Sequence, residues 1–122
     1  MTRAFKILIV DDDILTVHIQ KKILMSRGYE VFTSNTAVNI FGIVAKYEPD
    51  LIIMDHNLPL VSGAEATKQL KANAQTAAIP VIYFSSALDI ELLAKLAGSD
   101  AYVSKADHGD LIKKVAALLE GK

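Results

Sequence analysis

Polar and charged residues follow the apolar segments of this 122-residue sequence at the points where those segments end. Asp11 and Asp12 follow the run FKILIV, Asp55 ends LIIMD, Ser85 follows VIYF, and Lys105 follows AYVS. Short, continuous apolar runs are typical of strands that are buried on both faces of a parallel sheet. Because the carboxyl ends of parallel strands lie at one edge of the sheet, we expect these groups to gather there in one cleft.

Neighbouring carboxylates raise one another's pKa, since each charge disfavours the next. A hard divalent cation removes this conflict, and Mg²⁺ characteristically binds one or two carboxylates together with water and substrate phosphate. Lys105 is predicted on the same side as the acids, where an ammonium could pair with phosphate. The pattern therefore predicts a magnesium and phosphate site around Asp11, Asp12 and Asp55.

Other polar residues near these segments have simpler interpretations. Asp13 is most simply the N-cap of the following helix. His56 stands beside Asp55, but side chains alternate along a strand, so its ring is predicted to point away from that carboxylate. His108 is interpreted as a loop residue.

The apolar runs alternate with segments of helical character. Predicted strands cover residues 5–10, 29–33, 50–54, 81–84 and 101–104. Five strands that alternate with five helices favour an α/β fold, in which right-handed crossovers cover both faces of a parallel sheet.

Periodicity and cap residues locate the helices. The first has apolar residues at i, i+4 spacing and a C′ glycine: Leu15, Ile19, Ile23 and Gly28. The second follows a cap at Asn35 or Thr36 and reaches about residue 46, while the third and fourth cover 64–73 and 88–97. The last helix has an apolar stripe that runs from Leu111 to Leu119.

Composition limits the class of protein. The length and the 52% of hydrophobic residues predict one globular domain over 1–122. A net charge of −1 gives no electrostatic footprint for nucleic acid, and no apolar run approaches the roughly 20 residues of a membrane span. The absence of cysteine and of a secretory signal is compatible with a cytoplasmic protein.

Together, these residues resemble the receiver domain of two-component response regulators. The resemblance covers essentially the whole chain and rests on four groups of residues: Asp11-Asp12, Asp55 with Asn57-Leu58-Pro59 and Gly63, Ser85 after Ile79-Pro80-Val81-Ile82, and Tyr102 with Lys105. It implies a flavodoxin-like (βα)5 fold, with a five-stranded parallel sheet in the order 2-1-3-4-5.

The resemblance also implies a reaction and a metal site. An aspartate that matches Asp55 would accept a phosphoryl group from a phosphohistidine on a sensor histidine kinase or a histidine phosphotransfer protein. Asp12, Asp55 and the backbone carbonyl of Asn57 would hold Mg²⁺, with Asp11 acting through water.

Three further residues take roles from the resemblance. The Ser85 hydroxyl, a common replacement for threonine, and the Lys105 ammonium would grip the phosphoryl oxygens. Tyr102, otherwise a half-buried packing aromatic, would swing inward when the hydroxyl moves.

One residue departs from the family pattern. Ala106 stands where a proline usually follows the lysine, typically after a cis peptide. A cis bond before alanine would cost about 2.5–4 kcal/mol, so we predict a trans Lys105–Ala106 peptide and a different loop, with Gly109 adopting the unusual dihedral angles.

The sequence therefore predicts a stand-alone, Mg²⁺-dependent phosphoacceptor receiver that signals through a conformational switch, not an enzyme beyond slow self-phosphorylation and self-dephosphorylation. A phosphorylation-independent binding module on the same fold is the main alternative. A haloacid dehalogenase-type phosphatase would need a second acid where Asn57 stands, and a flavodoxin would place flavin phosphate against three aspartates.

The predicted output is a contact with a downstream protein. The helix from Leu88 to Ala97 has more apolar residues than one buried face requires, which makes it the candidate contact surface, although deep burial is an equal alternative.

Overall fold

The computed structural model describes residues 3–120, which form one parallel sheet with helices on both faces. The strands are β1 (Lys6–Val10), β2 (Glu30–Ser34), β3 (Leu51–Asp55), β4 (Val81–Ser85) and β5 (Ala101–Ser104). The helices are α1 (Ile14–Ser26), α2 (Ile40–Tyr47), α3 (Gly63–Ala72), α4 (Ile90–Ala97) and α5 (His108–Glu120). The sheet order β2-β1-β3-β4-β5 confirms the predicted fold.

Alternation along the strands separates the core into two layers. On one face, Ile53 and Phe84 pack with buried residues of α1 and α5, among them Leu24 and Leu111. On the other face, the intervening strand residues pack against α2, α3 and α4. The same alternation determines to which face of the sheet each side chain at the carboxyl edge points.

The buried face of α1 differs from the predicted one. Leu15 and Ile19 are exposed, whereas Gln20 and Leu24 are fully buried and Val17 packs beside them. Residues 17, 20 and 24 also follow helical spacing and form the buried face. Because Gln20 is polar, this face does not stand out as an apolar stripe in the sequence. Neither side-chain polar atom of Gln20 has a hydrogen-bond partner among residues 3–120.

Two helices begin later than the sequence indicated. Residues 36–38 form a turn in which the Val38 amide donates to the Thr36 hydroxyl at 3.0 Å, and α2 begins only after Asn39, which has a left-handed backbone. The predicted cap at Asn35 or Thr36 is therefore wrong, because Thr36 satisfies a turn amide instead. Helix α4 begins at Ile90 and leaves Leu88 outside it.

The C-terminal end of α1 matches the prediction. Gly28 has φ = 91° directly after the C-cap residue Arg27, and its amide donates to the Met25 carbonyl at 3.0 Å. A left-handed residue at C′ is the usual position for glycine. No helix within the described residues is both long enough and apolar enough to span a membrane.

Candidate functional site

Backbone hydrogen bonds that continue the sheet beyond the strand ends position two of the candidate residues. The Asp11 amide donates to the Ser34 carbonyl at 3.0 Å, which extends the β1–β2 pairing by one residue. The Lys105 amide donates to the Ser85 carbonyl at 3.1 Å and extends the β4–β5 pairing. Asp11, Asp55 and Lys105 also share the strand parity of the α1/α5 face, so their side chains converge.

An ion-pair triangle forms the centre of the site. Lys105 Nζ lies 3.0 Å from Asp55 Oδ1 and 3.1 Å from Asp11 Oδ2. Both carboxylates are buried, each with 3% of its surface exposed. Asp11 Oδ1 accepts a hydrogen bond from the Asp13 amide at 2.9 Å, so one oxygen of this carboxylate faces an N–H group and the other faces the ammonium.

For both Asp55 and Lys105, burial and the charge of the ion-pair partner shift the pKa in opposite directions. Burial raises the pKa of Asp55; Lys105 opposes that rise, and the negative charge of Asp11 adds to it. Burial would by itself lower the pKa of Lys105, but the carboxylates of Asp55 and Asp11 outweigh it, and the net pKa is raised. The ammonium thus stays charged and favours the carboxylate form of Asp55.

A third carboxylate completes an acidic cluster. Each of Asp11, Asp12 and Asp55 offers an oxygen within 4.8 Å of the others. Asp12 is exposed, whereas its two partners are buried, so the cluster opens to solvent on one side. Carboxylate oxygens are the donors that a hard cation prefers, and each carboxylate oxygen has more than one lone pair to offer. The donor set therefore fits Mg²⁺.

The remaining predicted residues lie beside this group. Ser85 is buried, and its hydroxyl accepts from the Ala87 amide at 3.1 Å. Asn57 is exposed, two residues beyond the end of β3. Tyr102 is half-buried, with Lys114 Nζ 4.7 Å from its ring centroid. Within residues 3–120, none of these side chains bonds to the acids or to Lys105.

The loop after β5 differs from the prediction in one respect. Lys105–Ala106 is trans, as predicted, like every other described peptide bond. Gly109, however, has no positive φ and is the second residue of α5. The path of the loop depends instead on Asp107, whose carboxylate accepts a hydrogen bond from the Asp110 amide at 2.9 Å and caps α5. His108 is accordingly helical and packs against Phe84.

One pair of residues was missed by the sequence reasoning. His56 does point away from Asp55, and its Nδ1 shares a hydrogen bond with the hydroxyl of the fully buried Tyr83. Burial, followed by the charge of Asp55, raises the pKa of Tyr83 to about 12. The alternation of side chains along a strand could have indicated this pair, because it places residues 54, 56, 81 and 83 on the same face of the sheet. Two of the four, His56 and Tyr83, carry polar groups.

Gly63 brings α3 close to the end of β3. A Cβ atom at this position would lie 1.8 Å from the Asp55 carbonyl oxygen and 2.8 Å from its carbon. The Gly63 amide also donates to the His56 carbonyl at 3.1 Å. Only glycine permits this approach of one backbone to another.

Exposed apolar side chains lie beside the acidic cluster. Ile14 and Leu60 are 87% and 92% exposed, and both line a cavity of about 520 Å³ that also includes Asp11 and Asp12. Leu60 has φ = 71°, a left-handed backbone that leucine rarely adopts. We call Ile14, Pro59 and Leu60, which all line this cavity, the apolar rim.

The fold and the acidic cluster define a doubly wound α/β protein with a carboxylate and lysine site at the carboxyl edge of its sheet. The family model for the response regulator receiver domain matches residues 7–116. The chain therefore belongs to the response regulator receiver family, whose members generally accept phosphoryl groups and are not enzymes in the usual sense.

Individual relatives agree with this membership. The polar-differentiation response regulator DivK of Brucella ovis is 34% identical over 108 residues, which cover 86% of this chain and 85% of the relative. A putative response regulator from Chloroflexus aurantiacus superimposes with a TM-score of 0.90 at 26% identity, over 97% and 99% of the two chains. Vibrio cholerae chemotaxis protein CheY4 gives a TM-score of 0.83 at 25% identity, over 95% and 99%.

Proposed function

We propose that this chain is a stand-alone receiver that accepts a phosphoryl group on Asp55 and changes conformation in response. The observation that carries the proposal is the buried Asp55 carboxylate, with Oδ1 at 3.0 Å from the Lys105 ammonium inside a cluster of three acids. The match to DivK along most of its length supports residues 1–122 as one receiver domain.

The proposed donor is a phosphohistidine on a sensor histidine kinase or a histidine phosphotransfer protein. A carboxylate oxygen of Asp55 forms a bond to phosphorus while the phosphorus–nitrogen bond of the donor breaks. The electron pair of that bond remains on the imidazole nitrogen. Carboxylates are weak nucleophiles, so the step depends on positioning and on the neutralisation of charge around the phosphoryl group.

Magnesium fits the proposal as the cofactor. The side chains of Asp11, Asp12 and Asp55, with the Asn57 carbonyl, would hold it. When bound, it would neutralise part of the carboxylate charge and of the phosphoryl charge. The chain's own contribution is to position the Asp55 carboxylate beside the Lys105 ammonium.

Lys105 and Ser85 are the proposed partners of the phosphoryl oxygens. The ammonium already lies within ion-pair distance of two carboxylates, and it could turn to a third anionic oxygen on a flexible stem. Ser85 would donate its hydroxyl, which now accepts from Ala87, and its movement would release Tyr102 as the switch.

The exposed apolar groups support two protein contacts. The apolar rim lies beside the acidic cluster, where a protein that carries the donor histidine would approach Asp55. Single exposed apolar residues are ordinary, but a cluster of them marks a candidate contact surface. Leu92 and Leu96 on α4 are exposed, as is Leu88 in the turn before it, which supports this region as the output surface. These partners, like the kinase, would meet the receiver in the cytoplasm.

Intact mass after incubation with acetyl phosphate and Mg²⁺ tests the proposal. The wild-type chain should gain one phosphoryl group, and Asp55→Asn should gain none. Asp13→Asn is the matched control, because it removes an exposed carboxylate beside the acidic cluster, and it should label as the wild type does. Labelling of Asp55→Asn at the wild-type level would overturn the assignment.

Slow self-phosphorylation and self-dephosphorylation are part of the same proposal. Omitting Mg²⁺ should slow the gain of mass, and the phosphoryl group should disappear with time after the small donor is removed.

A further inference from the structure

A buried polar contact joins the residue after Asp55 to the middle of β4. The Tyr83 hydroxyl and His56 Nδ1 share a hydrogen bond, and their ring centroids lie 5.6 Å apart in an edge-to-face arrangement. Tyr83 has no exposed surface, so its hydroxyl has no access to bulk water as an alternative partner. The position of its polar tip therefore depends on His56.

The other side of the contact is the loop that follows Asp55. The His56 carbonyl accepts from the Leu58 amide at 3.2 Å and from the Gly63 amide at 3.1 Å. Its backbone is thus held by the loop and by the start of α3, while its side chain is held by Tyr83. A displacement of this loop must move His56 and change the geometry of its contact with Tyr83.

Helix α4 lies against the Tyr83 ring. Ile90, Ala94 and Ala97, all on the buried face of α4, form a cluster with it. Protein interiors are closely packed, so a change in the position of the ring must be taken up by these α4 residues. Tyr83 is also the sheet neighbour of Tyr102 on β5.

We propose that His56 and Tyr83 are a positioning pair that couples the loop after Asp55 to helix α4. This inference rests on the proposed function, and it adds a route to α4 that begins at His56 and not at the Ser85 hydroxyl. Neither residue touches the reacting atoms. Their role is to transmit the state of the acceptor loop to the helix whose leucines are exposed.

Amide hydrogen exchange across α4, measured before and after labelling with acetyl phosphate and Mg²⁺, tests the pair. Tyr83→Phe and His56→Phe keep an aromatic ring and remove the hydrogen bond. Each should be phosphorylated to the wild-type extent, but the change in α4 exchange on phosphorylation should fall to about half or less, and the double variant should show no further loss.

Tyr47→Phe is the control, because it removes the hydroxyl of a half-buried tyrosine that stacks on Phe32, on the part of the sheet away from α4. It should retain the full response of α4. Normal labelling with an undiminished α4 response in both variants would overturn the pair and leave the proposed function intact. A wild-type α4 that does not respond would also overturn the pair, and a wild-type protein that does not label would overturn the proposed function and the pair together.

Discussion

Gly63 carries the tightest backbone constraint near the acceptor. Gly63→Ala would place a Cβ atom 1.8 Å from the Asp55 carbonyl oxygen, so the start of α3 or the end of β3 must move. We expect a loss of about 1–3 kcal/mol in unfolding free energy, together with slower labelling of Asp55 by acetyl phosphate. Chemical denaturation and intact mass measure the two effects.

Gly109→Ala provides the matched comparison. Gly109 also lies in the first turn of a helix, but the nearest atom to an added Cβ is Asp107 Oδ1 at 3.6 Å. This substitution should be neutral or should stabilise the protein by up to about 1 kcal/mol, since alanine favours the helix. Equal effects of the two substitutions would contradict the close approach at Gly63.

Asp50 should make folding stability dependent on pH. Its carboxylate pairs with both terminal nitrogens of Arg3, at 2.8 and 2.7 Å, and accepts from the Lys6 amide at 2.7 Å. The bond to Arg3, followed by that to the Lys6 amide, lowers the pKa of Asp50 below its ordinary 3.8, although burial opposes this. The resulting stabilisation is complete above the ordinary pKa and disappears as the pH falls through the lower folded value.

Asp50→Asn should therefore lower the unfolding free energy at pH 7, and the difference from the wild type should shrink below pH 3.8. Urea denaturation of both proteins across this range measures the effect. A difference that stays constant down to the most acidic conditions would exclude the ionised carboxylate as its source.

At the level of residues, sequence predicts charge clusters better than it predicts single buried contacts. Asp11, Asp55 and Lys105 could be placed together because each follows an apolar strand, and parallel strands share an edge. The contact between Tyr83 and His56 could not be predicted, because the sequence of an apolar strand does not show which group a tyrosine hydroxyl bonds to. Gln20 has the same difficulty, since only packing shows that a polar side chain lies in the core.

Among the structural elements, α3 and α5 have capped N-termini, whereas α4 does not. Ser62 Oγ accepts from the Glu65 amide at 3.1 Å, and Asp107 Oδ1 accepts from the Asp110 amide at 2.9 Å. Asp89 precedes α4 without a side-chain cap. Helix α4 thus has less local support at its first turn.

Substitution of the cap residues should reveal this difference. Ser62→Ala and Asp107→Ala should each lower the unfolding free energy by about 1 kcal/mol, while Asp89→Ala should change it by only a few tenths. Thermal and chemical denaturation would provide the comparison. A cost at Asp89 as large as at Ser62 would show that α4 is capped in solution.

Helix starts were the least predictable feature at this scale. Strand ends were correct to within one residue, because apolar runs end sharply at polar residues. The starts of α2 and α4 were placed too early, since the turns before them contain apolar residues such as Val38 and Leu88, which are exposed in the structure. Periodicity does not distinguish a helical turn from an exposed apolar turn that leads into it.

For the whole molecule, the acidic cluster links stability to Mg²⁺. Binding to the folded state alone should add about 1.4 kcal/mol when the free ion is at ten times its Kd, and the Tm should rise accordingly. Asp12→Asn should remove most of that increase while raising the Tm without metal, because one repelling charge is lost. Scanning calorimetry with Mg²⁺ and with a chelator measures both.

Asp13→Asn is again the control for this titration, since it changes the same charge outside the cluster of Asp11, Asp12 and Asp55. Its Tm should rise with Mg²⁺ as the wild type's does. If Asp12→Asn kept the full increase, the ion would have to bind elsewhere on the protein.

Leu60 has a consequence for engineering. An exposed leucine with φ = 71° is unfavourable both for solubility and for backbone energy, so selection for folding alone would not retain it. Leu60→Gly should raise the unfolding free energy by up to about 1 kcal/mol, whereas Leu88→Gly, at an equally exposed position without positive φ, should not. If labelling by acetyl phosphate is unchanged in the stabilised variant, the strained leucine is not required for the reaction with a small phosphodonor, and the protein can be made more stable at this position without loss of that reaction.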